Sequence, residues 1–194
     1  CSMSGIAEIV RAMDIEVTGS DMAQTYYVTK LQEKGFNIKV GHNPQMIDNS
    51  VDLVVYSAAI AEDDVEMIKA RELNIPTMER ADFLGLITKS YKNTICVAGT
   101  HGKSTTSGMI TKAFIDCNIN PTVQIGASLK DIGGNNHVGD SDTIILEACE
   151  YHDSYLSFNP TIAVVLNIDA DHLEYFKSLD NIIKSFTNFV NLVP

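Results

Sequence analysis

Residues 97–109 read VAGTHGKSTTSGM, which places a glycine loop, a lysine and a run of hydroxyl side chains between an apolar strand and a predicted helix. This order is typical of a phosphate-binding loop, where backbone N–H groups and the positive end of a helix dipole face an anion. Many such loops have the spacing G-x-x-x-x-G-K-[ST], and Val97 stands where that pattern has its first glycine. The stretch therefore predicts a phosphate site with a different spacing, and the alternative is a glycine turn with an incidental lysine.

The composition of the 194 residues indicates a folded protein that is not a nonspecific nucleic-acid binder. Hydrophobic residues make up 45% of the chain and charged residues 20%, so a buried core is expected and global disorder is not. The net charge of −11 argues against nonspecific nucleic-acid binding, which needs a basic surface. Phosphate ligands remain compatible with this charge, because a phosphate-binding loop uses backbone N–H groups, one lysine and a metal ion.

The cysteines and the apolar segments indicate the cellular compartment of the protein. Cys1, Cys96, Cys117 and Cys149 include no C-x-x-C pair, and we expect them to be buried free thiols in a reducing cytoplasm. No window approaches the ~18 apolar residues of a membrane helix, and no signal peptide is visible, so no membrane insertion is expected.

The first part of the chain, residues 1–91, alternates predicted helices with predicted strands. Helices are predicted over 4–13, 24–34, 63–74 and 80–91, and strands over 15–18, 37–41, 52–58 and 75–79. Such alternation favours the α/β class, with a parallel sheet covered by helices on both faces. Since no strand precedes the first helix, we expect residues to be missing at the amino end.

The pattern restarts near residue 92 and predicts a second α/β unit over residues 92–194. Its three main strands are expected over 94–99, 142–148 and 161–168, and its helices over 103–117 and 179–190. The strands are continuous apolar runs, as expected for a parallel sheet buried on both faces. Ser178 is the predicted N-cap of the last helix. The apolar face of that helix is predicted to hold Leu179, Ile182, Ile183, Phe186 and Phe189. A buried parallel sheet usually has more than three strands, so we expect the carboxyl end to be cut as well.

Four positions of the glycine loop suit a nucleotide phosphate. Gly99 and Gly102 let the backbone turn its N–H groups toward the anion. Lys103 can reach the terminal phosphates, and the Ser104 hydroxyl can bind Mg²⁺.

Further polar residues lie where a nucleotide site needs them, at the carboxyl ends of predicted strands. Glu147 ends the strand TIILEA and can hold Mg²⁺, although a lone acid at a strand end is often structural. The segment NIDADHLEYF follows the next strand and brings Asp169, Asp171 and His172 to the same edge. Neighbouring parallel strands lie ~4.8 Å apart, so we expect Glu147 and His172 to reach one metal cluster beside the Ser104 hydroxyl. The alternative for His172 is a hydrogen-bonded surface residue.

Three segments together resemble the Mur ligases. They are GTHGKSTTSGMI at 99–110, ILEACEYHDSYLSFNPTIAVVLNIDADHLEYF at 145–176, and MSGIAEI with the later VTGSD near the amino end. The loop of that family is G-T-x-G-K-[ST], which accounts for Val97, since the early glycine is not part of its pattern. The resemblance covers essentially the whole chain, and GTHGKST followed by NIDADH is highly specific for the family.

The resemblance implies a domain for each unit. Residues 1–91 would form a Rossmann-like UDP-sugar-binding domain, and residues 92–194 would form part of a central P-loop-type ATP-binding domain. Mur ligases have a third, carboxyl-terminal domain that helps to bind the amino acid, and nothing in this chain matches it. We therefore expect the chain to be a fragment that is inactive by itself.

The resemblance also implies a reaction. The segment EACEYH resembles the alanine-adding member, which implies ATP, UDP-N-acetylmuramate and L-alanine as substrates and Mg²⁺, or alternatively Mn²⁺, as cofactor. The carboxylate of the UDP-sugar would attack the γ-phosphate of ATP, and the amine of alanine would then displace phosphate from the acyl phosphate. This is a step of peptidoglycan precursor synthesis in the bacterial cytoplasm. Its two anionic reactants need charge neutralisation to approach each other.

Residue roles follow from the resemblance position by position. Lys103, Glu147 and His172 would be catalytic, and Ser104, Glu147 and His172 would hold metal ions, the second of them at His172. The implied ATP-binding residues are Gly99, Thr100, His101, Gly102, Lys103, Ser104 and Thr105. We expect His101 to shape the loop and not to act as a base. The implied UDP-sugar contacts are Ser4, Gly5, Ser20, Asp21, His42 and Ser57. The alternatives are an ordinary turn for the segment GSD and an ordinary surface residue for His42.

Two other functions are compatible with parts of this pattern. A sister ligase that attaches a preformed peptide to the same nucleotide sugar during cell-wall recycling would share both sites. A UDP-sugar-binding module without catalysis would not need the metal-binding residues. The presence of Lys103, Ser104, Glu147 and His172 argues against such a module.

Overall fold

The computed structural model describes residues 2–194, leaving out the side chain of Ser2. The chain divides into two compact units, Cys1–Phe83 and Leu84–Pro194, and the division lies within a helix, Arg80–Thr88. The sequence predicted a boundary after residue 91, beyond that helix. The division lies earlier because the second half of the helix bonds into the second unit. Asn159 Nδ2 donates to Gly85 O at 2.9 Å, and Thr94 Oγ1 donates to Thr88 O at 3.2 Å.

The first unit alternates helices and strands as predicted. Its elements are α1 (Ser2–Ala12), β1 (Thr18–Asp21), α2 (Tyr26–Glu33), β2 (Asn37–Val40), β3 (Val54–Tyr56), α3 (Val65–Glu72), β4 (Thr77–Glu79) and α4 (Arg80–Thr88). In the described part of this unit, the strands form two parallel pairs, β1 with β2 and β3 with β4. Both pairings are parallel, as expected when a helix connects consecutive strands.

The first strand lies later than predicted. Because β1 is Thr18–Asp21 and not 15–18, Ser20 and Asp21 lie within the strand and not after it. The chain leaves α1 through a turn in which Asp14 has a φ of 61°, and this turn precedes the strand. Pairing with β2 then begins at Thr18, opposite Asn37.

The second unit is built on one larger sheet. Its elements are β5 (Asn93–Ala98), α5 (Lys103–Asp116), β6 (Thr122–Leu129), β7 (Gly134–His137), β8 (Thr143–Glu147), β9 (Ile162–Val165), α6 (Leu173–Phe176) and α7 (Leu179–Val190). Within the described residues the sheet has five strands in the order β7-β6-β8-β5-β9. β7 runs antiparallel to β6, and the other neighbours are parallel. The core of the sheet is formed by β5 and β8, whose apolar side chains are buried.

Two sequence expectations about this sheet are wrong. The sequence predicted three main strands, and β6 and β7 were missed because their side chains are largely polar or small, TVQIGASL and GNNH. The sequence also predicted that β8 and β9 are neighbours, but β5 lies between them. After β8 the chain passes to the far side of β5 and forms β9 there. The apolar residues of the strands do not indicate this strand order. Glu147 and His172 therefore follow strands that are two sheet positions apart.

The last helix, α7, begins as predicted, because the Ser178 hydroxyl accepts a hydrogen bond from Asn181 N at 3.3 Å. Ile182, Phe186 and Phe189 are buried as predicted. The prediction that Leu179 and Ile183 share the buried face is wrong, since these side chains are 42% and 44% exposed. They flank the narrower stripe that packs on Tyr155, whose ring stacks on Phe189 with centroids 4.5 Å apart.

The cysteines differ in burial. Cys96 is buried in β5, and burial raises the pKa of its thiol to about 12. The prediction that Cys117 and Cys149 are buried is wrong, because both are exposed, at the end of α5 and after β8. All three are free thiols, as predicted, and Cys1 lies outside the described residues. Among the described residues, no helix has the length and apolar character needed to cross a membrane.

Candidate nucleotide site

The glycine loop lies where the sequence placed it, between the end of β5 and the start of α5. Gly99 has a φ of 139° and Gly102, the N-cap residue of α5, has a φ of 86°, values that favour glycine. Space is also limiting at Gly99, where an added Cβ would lie 3.0 Å from the Cβ of Leu166. The loop therefore presents the amino end of a 14-residue helix, where unpaired N–H groups favour an anion.

Asn167, which sequence reasoning left without a role, holds this loop in shape. Its side chain accepts a hydrogen bond from His101 N at 2.8 Å and donates one to His101 O at 3.0 Å. Its backbone oxygen accepts from Thr100 N at 3.1 Å, and Asp169 N donates to Thr100 Oγ1 at 2.9 Å. The segment NIDADH thus holds the loop through the Asn167 side chain and through the backbone of Asn167 and Asp169. The His101 side chain is exposed, and its role in ATP binding stays a prediction.

The ammonium of Lys103 lies within the loop and contacts a buried acid. Its Nζ donates to Gly99 O at 2.6 Å and to Thr100 O at 3.2 Å. It also lies 3.0 Å from Glu150 Oε2. Glu150 is buried and was missed by sequence reasoning, although it stands in the quoted segment EACEYH. A second acid three residues after Glu147, in a mostly apolar stretch, was the available signal.

Ser104 and Glu147 meet as expected. The Ser104 hydroxyl donates to Glu147 Oε2 at 2.7 Å, and Gly126 N donates to the same oxygen at 2.7 Å. A Cβ added at Gly126 would lie 2.8 Å from Glu147 Oε1, so this position on β6 must be glycine for the carboxylate to stay where it is. Gly126 is a further residue that sequence reasoning missed.

The donor set at Ser104 and Glu147 fits Mg²⁺. Mg²⁺ prefers oxygen ligands, and a hydroxyl and a carboxylate lie in direct contact at the amino end of α5. Thr105 follows Ser104 in the first turn of the same helix and is exposed. Holding a metal ion remains a prediction for both ligands.

His172 lies in a separate group of side chains. Its Nδ1 lies 3.5 Å from Glu174 Oε1, and its ring contacts Tyr151 with centroids 4.6 Å apart. His172 has a φ of 52°, and His152 and Asp153 have φ values of 55°. Backbone strain of this kind in non-glycine residues clusters at functional sites. Glu147 is not among these contacts, and the role of His172 as a metal ligand stays a prediction.

In the first unit, two acids at the start of α3 contact residues at the ends of β1 and β2. The Ser20 hydroxyl donates to Glu66 Oε2 at 2.8 Å, and Asn43 N donates to Glu66 Oε1 at 2.7 Å. Asp64 caps α3 by accepting from Glu66 N, and its Oδ2 lies 2.7 Å from His42 Nδ1 without hydrogen-bond geometry. Two of the predicted UDP-sugar contacts, Ser20 and His42, therefore lie in one network.

The ligand atoms of His42, Asp64 and Glu66 lie within 4.8 Å of one another, a spacing that could hold a metal ion. Both Glu66 oxygens already accept protein hydrogen bonds, and one Asp64 oxygen caps the helix. These bonds explain the cluster without a metal, as the link between two strands and a helix.

The other predicted UDP-sugar contacts also belong to the first unit. Asp21 ends β1, and its side chain accepts from Ala23 N at 3.0 Å. Ser57 directly follows β3. Ser4 and Gly5 lie in the first turns of α1 and are buried. Their contact with a UDP-sugar stays a prediction.

Comparison with protein families gives two matches that together span most of the chain. The model described as the Mur ligase family catalytic domain matches residues 1–92, and that of the Mur ligase middle domain matches residues 97–194.

Similar curated proteins are named UDP-N-acetylmuramate–L-alanine ligase. A UDP-N-acetylmuramate–L-alanine ligase of Clostridium botulinum (strain Okra) is 49% identical over 193 residues, which cover 100% of this chain. One of Clostridium acetobutylicum is also 49% identical over the same length. In both cases the chain spans 42% of the relative's length.

Two solved structures have a similar fold. The UDP-N-acetylmuramate–alanine ligase of Thermotoga maritima is 26% identical, with a TM-score of 0.89 over 99% of this chain and 45% of that one. The UDP-N-acetylmuramate:L-alanyl-γ-D-glutamyl-meso-diaminopimelate ligase of Neisseria meningitidis is 25% identical, with a TM-score of 0.86 over 99% of this chain and 65% of that one.

Proposed function

Since this chain belongs to the Mur ligase family, we propose that it supplies the UDP-sugar-binding and ATP-binding parts of a ligase that joins L-alanine to UDP-N-acetylmuramate. The observation that carries the proposal is the contact of Ser104 with Glu147 beside the glycine loop. A hydroxyl and an acid at 2.7 Å, at a helix amino end, suit a metal-bound nucleotide. The 49% identity to the alanine-adding relatives supports the choice of substrates.

In this proposal the loop binds the phosphates of ATP. The amino end of α5 and the backbone N–H groups of the loop face the anion, and Lys103 neutralises part of its charge. Ser104 and Glu147 hold Mg²⁺, which supplies further charge neutralisation when it is bound. Asn167 keeps the loop in its binding shape through the two hydrogen bonds to His101. His172 is proposed as the ligand of a second metal ion, with Mn²⁺ more readily accepted there because imidazole is a softer ligand.

The first unit is proposed to bind the UDP-sugar. Ser20, Asp21, His42 and Ser57 lie at or next to the carboxyl ends of its parallel strands, the edge at which α/β folds bind nucleotides. Ser4 and Gly5 complete the proposed contacts at the start of α1.

The test is an acceptor screen on the complete gene product that contains these 194 residues. UDP-N-acetylmuramate, ATP and Mg²⁺ are supplied with each amino acid in turn, and phosphate release and the mass of the UDP product are followed. We expect release with L-alanine and a product heavier by one alanine residue. A folded protein that releases no phosphate with any acceptor would contradict the proposal.

A second candidate is a ligase that adds a preformed peptide to the same nucleotide sugar. It is favoured by the TM-score of 0.86 to the Neisseria meningitidis enzyme, whose described acceptor is a tripeptide. The acceptor screen includes L-alanyl-γ-D-glutamyl-meso-diaminopimelate for this reason. Release with the tripeptide and not with L-alanine would favour the second candidate.

A further inference from the structure

The ammonium of Lys103 has no spare hydrogen-bond donor in this structure. A lysine ammonium has three N–H groups. Here they face three acceptor groups: Gly99 O at 2.6 Å, Thr100 O at 3.2 Å and the Glu150 carboxylate, whose Oε2 and Oε1 lie 3.0 Å and 3.3 Å away. The side chain of Lys103 is 14% exposed and that of Glu150 is 3% exposed. A phosphate that approaches this ammonium must therefore replace one of the three acceptors.

Glu150 is the acceptor that Lys103 is least able to release. Removing the positive partner from a buried carboxylate leaves an uncompensated buried charge, which is strongly unfavourable. The two backbone carbonyls are neutral, and the bond to Thr100 O, at 3.2 Å, is longer than the bond to Gly99 O, at 2.6 Å. A phosphate would thus take the place of a carbonyl, and Glu150 would keep its bond and hold the ammonium in position.

The charges around the loop add a second consequence. Lys103 carries one formal positive charge, and Glu147 and Glu150 carry one negative charge each, which leaves a formal net charge of −1. Asp169 lies close to the loop, but its side chain is 72% exposed, so solvent screens its charge more strongly. A nucleotide without a metal ion would bring further negative charge into this group.

We propose that Glu150 is a positioning residue that holds Lys103 and offsets part of its positive charge, so that phosphate binding at this loop depends on a divalent cation. The proposal rests on the proposed ATP site and adds a residue that the family resemblance did not supply. It explains why the buried Glu150 lies beside Lys103, whose positive charge would otherwise attract a phosphate without a metal ion. Magnesium restores the balance by adding positive charge at Ser104 and Glu147.

The test compares ADP binding to this chain by calorimetry with EDTA and with Mg²⁺. Glu150→Gln keeps the shape and one acceptor oxygen but removes the charge. We expect it to tighten metal-free ADP binding about tenfold, the scale of one unit charge acting over several ångströms near a protein surface, and to change Mg²⁺–ADP binding less. Asp142→Asn is the matched control, because it removes the same charge from an exposed residue just before the opposite end of β8.

A double variant separates positioning from a general structural effect. Lys103→Gln combined with Glu150→Gln restores the net charge of −1 and removes the ammonium, so the gain in metal-free affinity should disappear. If Glu150→Gln does not fold, Glu150→Met takes its place, because it keeps the side-chain length in a buried position. Unchanged metal-free affinity in the folded variant, or a gain that persists in the double variant, would overturn the inference. A wild-type chain that binds no Mg²⁺–nucleotide would instead refute the ATP site itself, and the inference with it.

Discussion

Gly126 provides a sharp test of the proposed metal site, because replacing it with alanine changes the space around Glu147. The added Cβ would lie 2.8 Å from Glu147 Oε1 and 2.9 Å from Oε2, closer than real Cβ contacts allow. The carboxylate must move, and it would lose its 2.7 Å bond from Gly126 N or its 2.7 Å bond from Ser104. Gly126 is exposed on β6 and has no positive φ, so the substitution does not strain the backbone.

The expected magnitude follows from the lost bond. A hydrogen bond to a charged group contributes about 1.5–3 kcal/mol, and loss of a group that orients a metal ligand typically costs about 10–100-fold in metal affinity. We therefore expect Gly126→Ala to weaken Mg²⁺–ADP binding by about 10–100-fold, which is about 1.4–2.7 kcal/mol. The melting temperature should change little, because Gly126 is exposed and the group that must move is the end of the Glu147 side chain, not the backbone of β6.

The assay is calorimetric titration of the chain with Mg²⁺–ADP, together with thermal unfolding. Gly134→Ala is the matched control, because Gly134 lies on the neighbouring strand β7 and an added Cβ there meets nothing within 4 Å. If Gly126→Ala and Gly134→Ala bind Mg²⁺–ADP with the same affinity, Glu147 does not hold the metal ion in the way proposed here.

Three further outcomes are expected. Lys103→Ala should lower turnover of the complete gene product at least ~10²-fold, which corresponds to about 2.7 kcal/mol of activation barrier. The control is Lys112→Ala, which changes a partly exposed lysine of the same helix and should leave turnover unchanged. Equal rates for the two variants would remove Lys103 from the ATP site. Gly85→Ala should lower the melting temperature strongly, since its Cβ would lie 2.0 Å from the backbone oxygen of Ser157, and an unchanged melting curve would show that α4 can shift freely. Burial raises the pKa of Tyr155, so the folded state favours the neutral phenol; its contribution to stability is complete below the unfolded pKa of about 10 and is lost as the pH rises above it. Urea unfolding at pH 9 and pH 11 should therefore show a larger loss of stability for the wild type than for Tyr155→Phe, and equal losses would contradict this reasoning.

Elements with strong local signals were predicted well. The strand, glycine loop and helix at 93–116 agree with the sequence analysis, because an apolar run, two glycines and a helical pattern all act within a few residues of one another. The start of α7 agrees for the same reason, since Ser178 caps the helix through a bond to a residue three positions away. The meeting of Ser104 with Glu147 was also expected, because parallel strands bring their carboxyl ends to one edge of a sheet.

The incorrect predictions about the sheet share one cause, which is that they depend on contacts between residues far apart in the sequence. β7 has no apolar residue in GNNH, and β6 interrupts its apolar residues with polar and small ones in TVQIGASL; both form strands because the sheet offers them hydrogen-bond partners. The position of β5 between β8 and β9 was not predictable, because the apolar runs of the three strands look alike in any order.

By itself the sequence determined the family, the alternating α/β class and the phosphate loop, because these depend on residues close together in the chain. The tertiary structure alone decided which side chains support that loop. Glu150 reaches Lys103 across 47 residues, Gly126 reaches Glu147 across 21, and Asn167 reaches His101 across 66. Each pair is joined only when the sheet brings distant strand ends together, so its chemistry is a property of the packed fold and not of any segment.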